Sequence, residues 1–192
     1  MSAETPSDAR LEIGHVLFVD LVGYSKLLID DQRELQEQLN RIVRNTAQFR
    51  AAEAENKLVR LPTGDGMALV FFTTVEAPVR CALEITEAMP ANAQLKLRMG
   101  INTGPVSGVA DVNDRSNVAG AGINIAQRVM DLGDAGHILL SKRAAEDLMQ
   151  YRQWQPEISF DNSGGFRGSF LGVQRVEAGD YVEEFFVDAA LA

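Results

Sequence analysis

Cysteine is almost missing from this 192-residue chain: Cys81 stands alone, which excludes an internal disulfide framework and a thiolate metal cluster. Within VEAPVRCALEITEAM it reads as a small buried residue of a helix. Histidine is nearly as scarce, with only His15 and His137, so an imidazole-rich metal site is not expected. Basic residues are in deficit, 18 Lys and Arg against 27 Asp and Glu, for a formal charge of −9. A nucleic-acid scaffold would show a basic face, so nucleic acid is not an expected partner. No apolar run approaches membrane-spanning length, and MSAETPSDAR lacks the apolar stretch of a signal peptide. The expectation is therefore a cytoplasmic protein without membrane insertion. Internal repeats and low-complexity tracts are absent as well.

What is present is a globular composition, 46% apolar, in a chain long enough for one well-packed domain. Two short acidic segments stand out, HVLFVDLVGYS at His15–Ser25 and RLPTGDGMALVFF at Arg60–Phe72. Each sets an aspartate, Asp20 or Asp65, beside glycine and among apolar, β-branched residues that read as buried strands. A carboxylate in such surroundings is costly unless a cation meets it. Two of them side by side would repel, and a divalent cation relieves that. Mg²⁺ typically takes one or two protein carboxylates and leaves its other positions to water and phosphate oxygens. The pair points to a metal-dependent phosphate site. Taken alone, Asp20 also fits a helix cap and Asp65 a hairpin turn, since Asp-Gly is a favoured turn pair.

Strands and helices alternate along the chain. Val16–Asp20 is a predicted strand, and residues 30–56 carry a helical stripe of Leu35, Leu39, Ile42, Val43, Thr46 and Phe49. Lys57–Pro62 and Met67–Phe72 form a predicted hairpin about Thr63-Gly64-Asp65-Gly66. Val75–Met89 is a second helix, with Pro78 in its first turn. Leu95–Asn102 and Val106–Ala110 read as a strand pair about Thr103-Gly104-Pro105. Gly120-Ala121-Gly122 leads into a helix to Leu132, followed by a strand at His137–Leu140 and a helix at Lys142–Tyr151. The expected class is α/β (α+β), a ferredoxin-like βαββαβ core with additional C-terminal strands. Ile158–Gly172 reads as loop, and Val173–Val176 with Tyr181–Val187 as a terminal hairpin. Residues 1–12 are taken as a flexible segment and 13–188 as a single domain.

A third segment, NVAGAGINIAQRVMDLG, places Asn124 and Arg128 four residues apart, one turn along the same helix face. A neutral donor beside a guanidinium suits a ribose oxygen and a phosphoryl oxygen. Alone, such a pair is more commonly a solvated face.

Taken together, FVDLVGYS, PTGDGMALVF, LRMGINTGPVSG and VAGAGINIAQRVMDLGDAGHILLS follow one another in an order and spacing that resemble the catalytic domain of class III nucleotidyl cyclases, the adenylate and guanylate cyclase family. The likeness runs from about His15 to about Gln150. It implies that Asp20 and Asp65 hold two divalent cations, Mg²⁺ or Mn²⁺, with the Leu21 carbonyl as a further ligand. The backbone amides of Val22, Gly23, Tyr24 and Ser25 match a phosphate cradle, and Arg98 matches an arginine that contacts the terminal phosphates. Asn124 and Arg128 match the pair that orients the ribose and stabilises the transition state. In the family that pair faces the metal aspartates across a dimer interface, which implies a head-to-tail homodimer. The implied reaction converts a purine triphosphate to its 3′,5′-cyclic monophosphate and pyrophosphate.

Three positions depart from the family pattern. Adenylate cyclases usually carry a base-reading lysine where this chain has Leu61, beside Arg60. The partner base position is Asn117, which donates and accepts and so suits an adenine or a guanine edge. The Glu typical of guanylate cyclases at the first position is absent, which favours ATP over GTP. Where the family often has a C-terminal lysine for the triphosphate, this chain has VEAGD, with Arg167 or Arg175 as substitutes. Loss of that lysine is expected to cost on the order of 2–4 kcal/mol of transition-state stabilisation. The alternative reading is a weak or inactive cyclase-like module that binds nucleotide and regulates. A diguanylate-type cyclase expects a Gly-Gly-Asp/Glu-Glu-Phe hairpin, which TGDGM does not match.

Overall fold

The computed structural model describes residues 11–89, 95–110, 116–154, 159–160, 166–167, 175–178 and 182–188. Among them, β1 (Leu11–Leu21) leads into a short 3₁₀ turn (Tyr24–Lys26) and then α1 (Ile29–Asn45) and α2 (Ala47–Ala54). The hairpin of β2 (Leu58–Pro62) and β3 (Gly66–Phe71) precedes α3 (Glu76–Glu87) and β4 (Leu97–Ala110). Next come β5 (Ser116–Ala119), α4 (Ala121–Asp131), β6 (His137–Ser141) and α5 (Lys142–Leu148). Four further strands are β7 (Ser159–Phe160), β8 (Phe166–Arg167), β9 (Arg175–Ala178) and β10 (Val182–Asp188).

The main sheet runs β2-β3-β1-β4-β6-β10-β9, with β5 added to β4. Its first four strands, with the helices between them, are the split β-α-β arrangement expected. Among the described residues only β4 and β6 pair in parallel, Met99–Ile101 against Ile138–Leu140, a pairing that needs a crossover and receives it from α4. The terminal hairpin is present as β9 and β10. Residues 1–10 and most of the segment expected as loop lie outside the described residues, though β7 and β8 pair within that segment.

Side chains alternate along β1, so its apolar run serves two cores. Leu17, Val19 and Leu21 join Leu39, Phe49, Ile85 and Leu148 beneath the helices. Val16 and Phe18 join Ala68, Val70, Val106, Ala126 and Met130 on the other face, under α4. Gly100 permits that second layer, because a Cβ there would come within 2.5 Å of the Met130 amide nitrogen.

Two expected elements are corrected. The helix expected over residues 30–56 is broken at Thr46, whose backbone is extended (ψ 145°) and whose hydroxyl accepts from the Phe49 amide at 3.3 Å. That oxygen also donates to the Val43 carbonyl at 2.8 Å, closing one helix and capping the next. The strand pair expected about Thr103-Gly104-Pro105 is instead one 14-residue strand, β4. It is paired with β1 from Leu97 to Ser107, and Pro105 falls between the stretches that pair with β6 and with β5.

His15, half-buried in β1, shares a 3.0 Å hydrogen bond with the Thr103 hydroxyl. Burial lowers its pKa from the ordinary 6.5, with Asp147 pulling it up and Arg143 pushing it down. The unfolded chain therefore takes up a proton here more readily than the folded one. Its contribution to stability is complete above the unfolded-state value and drains as pH falls below it. Urea midpoints at about pH 7.5 and about pH 5.5 should show a larger drop for the wild type than for His15→Gln. Equal drops would show that this imidazole does not titrate on unfolding.

Candidate active site

The register of the sheet decides what meets at its end. Asp20 pairs with Gly66 on one side and with Arg98 on the other. Gly66 is needed there, since a Cβ would collide with the Val19 carbonyl oxygen. The turn before it, with Gly64 at φ +91°, puts Asp65 next to Asp20, and the Asp65 carbonyl accepts from the Leu21 amide at 3.1 Å.

Asp20 is 5% exposed. Burial pushes its pKa up most, and the Arg98 hydrogen bond pulls it down. The Asp65 charge pushes it up again, the Arg98 charge opposes, and a side-chain hydrogen bond with Asp65 adds a further rise. The balance lies above the ordinary carboxylate value. Arg98 donates from Nε to Asp20 Oδ2 at 2.9 Å, and its Nη2 lies 2.8 Å from the same oxygen and 3.2 Å from Asp131 Oδ1.

Around this pair opens a pocket of about 300 Å³, lined by Asp20 through Ser25, Asp65, Arg98 and Gly133–Ala135. Gly23, at φ +81°, starts the 3₁₀ turn. The Val22 amide donates to the Lys96 carbonyl at 2.8 Å, which leaves the amides of Gly23, Tyr24 and Ser25 as candidates for the expected cradle. The first amides of such a turn have no partner within it and are free to meet an anion. Helix α1 secures both loops. Gln32 Nε2 donates to the carbonyls of Tyr24 and Leu27, each at 3.1 Å, and Gln36 Nε2 donates to the Gly64 carbonyl at 2.7 Å. Tyr24 packs partly against the main core.

Asn124 and Arg128 are exposed on α4 and do not line this pocket. Their helix is held by buried Asn102, whose Nδ2 donates to the Gly122 carbonyl at 2.9 Å while its Oδ1 accepts from Ser141 at 2.7 Å. Leu61 packs partly against the second core, whose border also includes Val118 and Ile123. Asn117 pairs with Val109 through the backbone of β5.

The donor set is oxygen from two carboxylates, the chemistry that suits Mg²⁺ or Mn²⁺. Among the described residues no cluster of three or more His, Cys, Asp or Glu side chains is placed to hold a metal. Burial and the neighbouring Asp65 charge raise the proton affinity of Asp20, a cost that a divalent cation would relieve, so the residues fit such an ion. Its remaining positions would fall to water and phosphate oxygens.

The family model for the adenylate and guanylate cyclase catalytic domain matches residues 9–168. The chain belongs to this family. A Rhizobium meliloti (strain 1021) protein that carries an adenylate cyclase name is 28% identical over 162 residues, 81% of this chain and 26% of that protein. The chain thus spans about a quarter of that relative's length. The catalytic core of a rhodopsin-guanylyl cyclase with converted specificity, in complex with ATPαS, superposes with a TM-score of 0.67 at 18% identity. That match covers 96% of this chain and 100% of the other. The guanylate cyclase domain from Catenaria anguillulae, in complex with GTP, gives a TM-score of 0.65 at 18% identity over 93% of this chain and 98% of that one. At such identities the likeness speaks to the cyclase fold. No helix among the described residues is long and apolar enough to cross a membrane.

Three residues that sequence reasoning missed contact the pocket's lining or its loops: Asp131 through Arg98, and Gln32 and Gln36 through backbone carbonyls. Asp131 follows Asn124 by seven positions, so helical spacing already puts it on their face. Gln32 and Gln36 share the polar side of an amphipathic helix, but their backbone partners lie across the fold and leave no local signal.

Mn²⁺ should raise the unfolding temperature of the wild type, by about 2.7 kcal/mol of stability at a hundredfold excess over its dissociation constant. Asp20→Asn should remove that increment, as read by calorimetry with and without metal. An increment that survives the substitution would place the metal elsewhere.

Proposed function

We propose that the chain converts a purine nucleoside triphosphate, ATP in preference to GTP, to the 3′,5′-cyclic monophosphate and pyrophosphate at the interface of a head-to-tail homodimer. The observation that carries this reading is a division of labour. One chain's pocket collects Asp20, Asp65 and the cradle amides, while Asn124 and Arg128 stand outside it on the exposed side of α4. Ile125 on the same helix and Leu132 at its C-cap are exposed, at 37% and 43%, an apolar margin suited to a second copy.

Asp20 and Asp65, with the Leu21 carbonyl, would hold two divalent cations, Mg²⁺ or Mn²⁺. The chemistry such ions supply when bound is a lowered pKa at the ribose 3′-hydroxyl and neutralised charge on the triphosphate. The amides of Gly23–Ser25 bind the β- and γ-phosphate oxygens. Asn124 from the second chain hydrogen-bonds the ribose and aims its 3′-oxygen at the α-phosphorus. The 3′-hydroxyl loses its proton, its oxygen bonds to phosphorus, and the bond to the pyrophosphate oxygen breaks. Arg128 donates to the equatorial oxygens as that charge builds.

Support for ATP comes from Leu61, which offers no carboxylate to a guanine edge, and from the adenylate cyclase name of the Rhizobium meliloti relative. Asn117 would pair with the base from the β5 edge. The side chains of Arg167 and Arg175, candidates for the triphosphate lysine's place, lie outside the described residues. A cytoplasmic setting, where these triphosphates are abundant, goes with this reading.

Purified protein given Mn²⁺ and each of the four nucleoside triphosphates should release cyclic nucleotide, fastest from ATP. Asp20→Ala and Arg128→Ala should each be inactive. Mixed in equal amounts they should recover about a quarter of wild-type activity, since half the dimers are mixed and each holds one intact site. Activity in Asp20→Ala alone, or no recovery on mixing, would contradict the shared site. Nucleotide binding without product in the wild type would mark a regulatory module instead.

A further inference from the structure

Arg98 is shared between two carboxylates with different fates. Its Nε and Nη2 both rest on Oδ2 of Asp20, and the same Nη2 also reaches Oδ1 of Asp131. Asp20 is one of the two acids to which a divalent cation is assigned above, and a cation arriving there meets a guanidinium already in place. Arg98 can yield Asp20 without becoming an unpaired charge, because Asp131 already holds it. Asp131 is half-exposed, Arg98 is mostly covered, and Asp20 is the most buried of the three. The guanidinium therefore has a wetter second partner to fall back on, where a charge is cheaper to keep.

We propose that Asp131 is a positioning residue that sets how readily Arg98 releases Asp20, and through it the affinity of the site for divalent cations. This rests on the metal assignment of the proposed function and deepens it. Asp131 touches neither the metal position nor the substrate; it works through Arg98. Its place on α4 also ties the helix that bears Asn124 and Arg128 to the metal pocket of the same chain, so that helix and metal position share one ion pair.

Binding of Mn²⁺ alone, followed by the loss of its free-ion electron paramagnetic resonance signal, tests the proposal without turnover. Asp131→Asn leaves Arg98 wholly on Asp20 and should weaken Mn²⁺ binding about two- to fivefold, the scale of a half-exposed ion pair. Asp134→Asn, which removes the same charge from the pocket rim without touching Arg98, should have a smaller effect, and Asp131→Glu should restore binding. Arg98→Gln should tighten binding by removing the competitor. In that background Asp131→Asn should do no more than Asp134→Asn. An Asp131→Asn effect equal to that of Asp134→Asn, or undiminished without Arg98, would overturn the positioning role. A wild type that binds no Mn²⁺ would sink the metal assignment and this role together. A wild type that binds Mn²⁺ with the expected pattern but makes no cyclic nucleotide would leave the role standing and reject only the reaction.

Discussion

Two carboxylates held together at the end of a buried strand are the constraint around which the molecule is arranged. Asp20 is brought to that end by β1, whose apolar neighbours serve both cores, and Asp65 is brought beside it by the turn between β2 and β3. Burial and the Asp65 charge raise the proton affinity of Asp20. Arg98, from the strand on the opposite side of β1, offsets part of that cost. A folded protein keeps such a destabilising pair only where something else uses it. On the proposed reading, that use is an anionic, metal-borne ligand in the open pocket.

The rest of the fold holds that arrangement rigid while leaving one side unfinished. Gln32 and Gln36 fasten the cradle and the Asp65 turn to α1, so the acids and the amides move as a unit. On the far face, Gly100 lets α4 lie close to β4, and Asn102 pins its first turn. Asn124 and Arg128 then stand exposed on a well-anchored helix, outside the lining of their own chain's pocket. Rigid placement of an outward-facing guanidinium is of little value to an isolated chain. On the proposed reading it becomes useful when a second copy presents its pocket, and dimerisation is then part of the site's construction.

Much of this was legible in the chain because the decisive signals are local. Glycine beside aspartate marked both acidic loops, β-branched runs marked the strands that deliver them, and four-residue spacing paired Asn124 with Arg128. Most of the order of elements followed from periodicity and turn residues, apart from the break between α1 and α2, the continuity of β4 and the short strand β5. What escaped reading depends on partners distant in sequence or on backbone choices with near-equal alternatives. Thr46 fits the apolar stripe of one long helix, and only its two hydrogen bonds in the fold show that it ends one helix and starts another. Thr103-Gly104-Pro105 looks like a turn, yet continuous pairing with β1 outweighs that preference and keeps β4 extended. The ion pairs of Arg98 with Asp20 and Asp131, residues 78 and 33 positions away, likewise leave no local signal.

The central claim is that Asp20 and Asp65 form an uneasy pair which a divalent cation resolves. Carbon-13 NMR titration of the aspartate carboxyl groups, with and without Mg²⁺, reads this directly. Metal-free protein should show Asp20 titrating above the ordinary aspartate range, and saturating Mg²⁺ should move it below that range. An Asp20 that titrates normally and ignores Mg²⁺ would contradict the account.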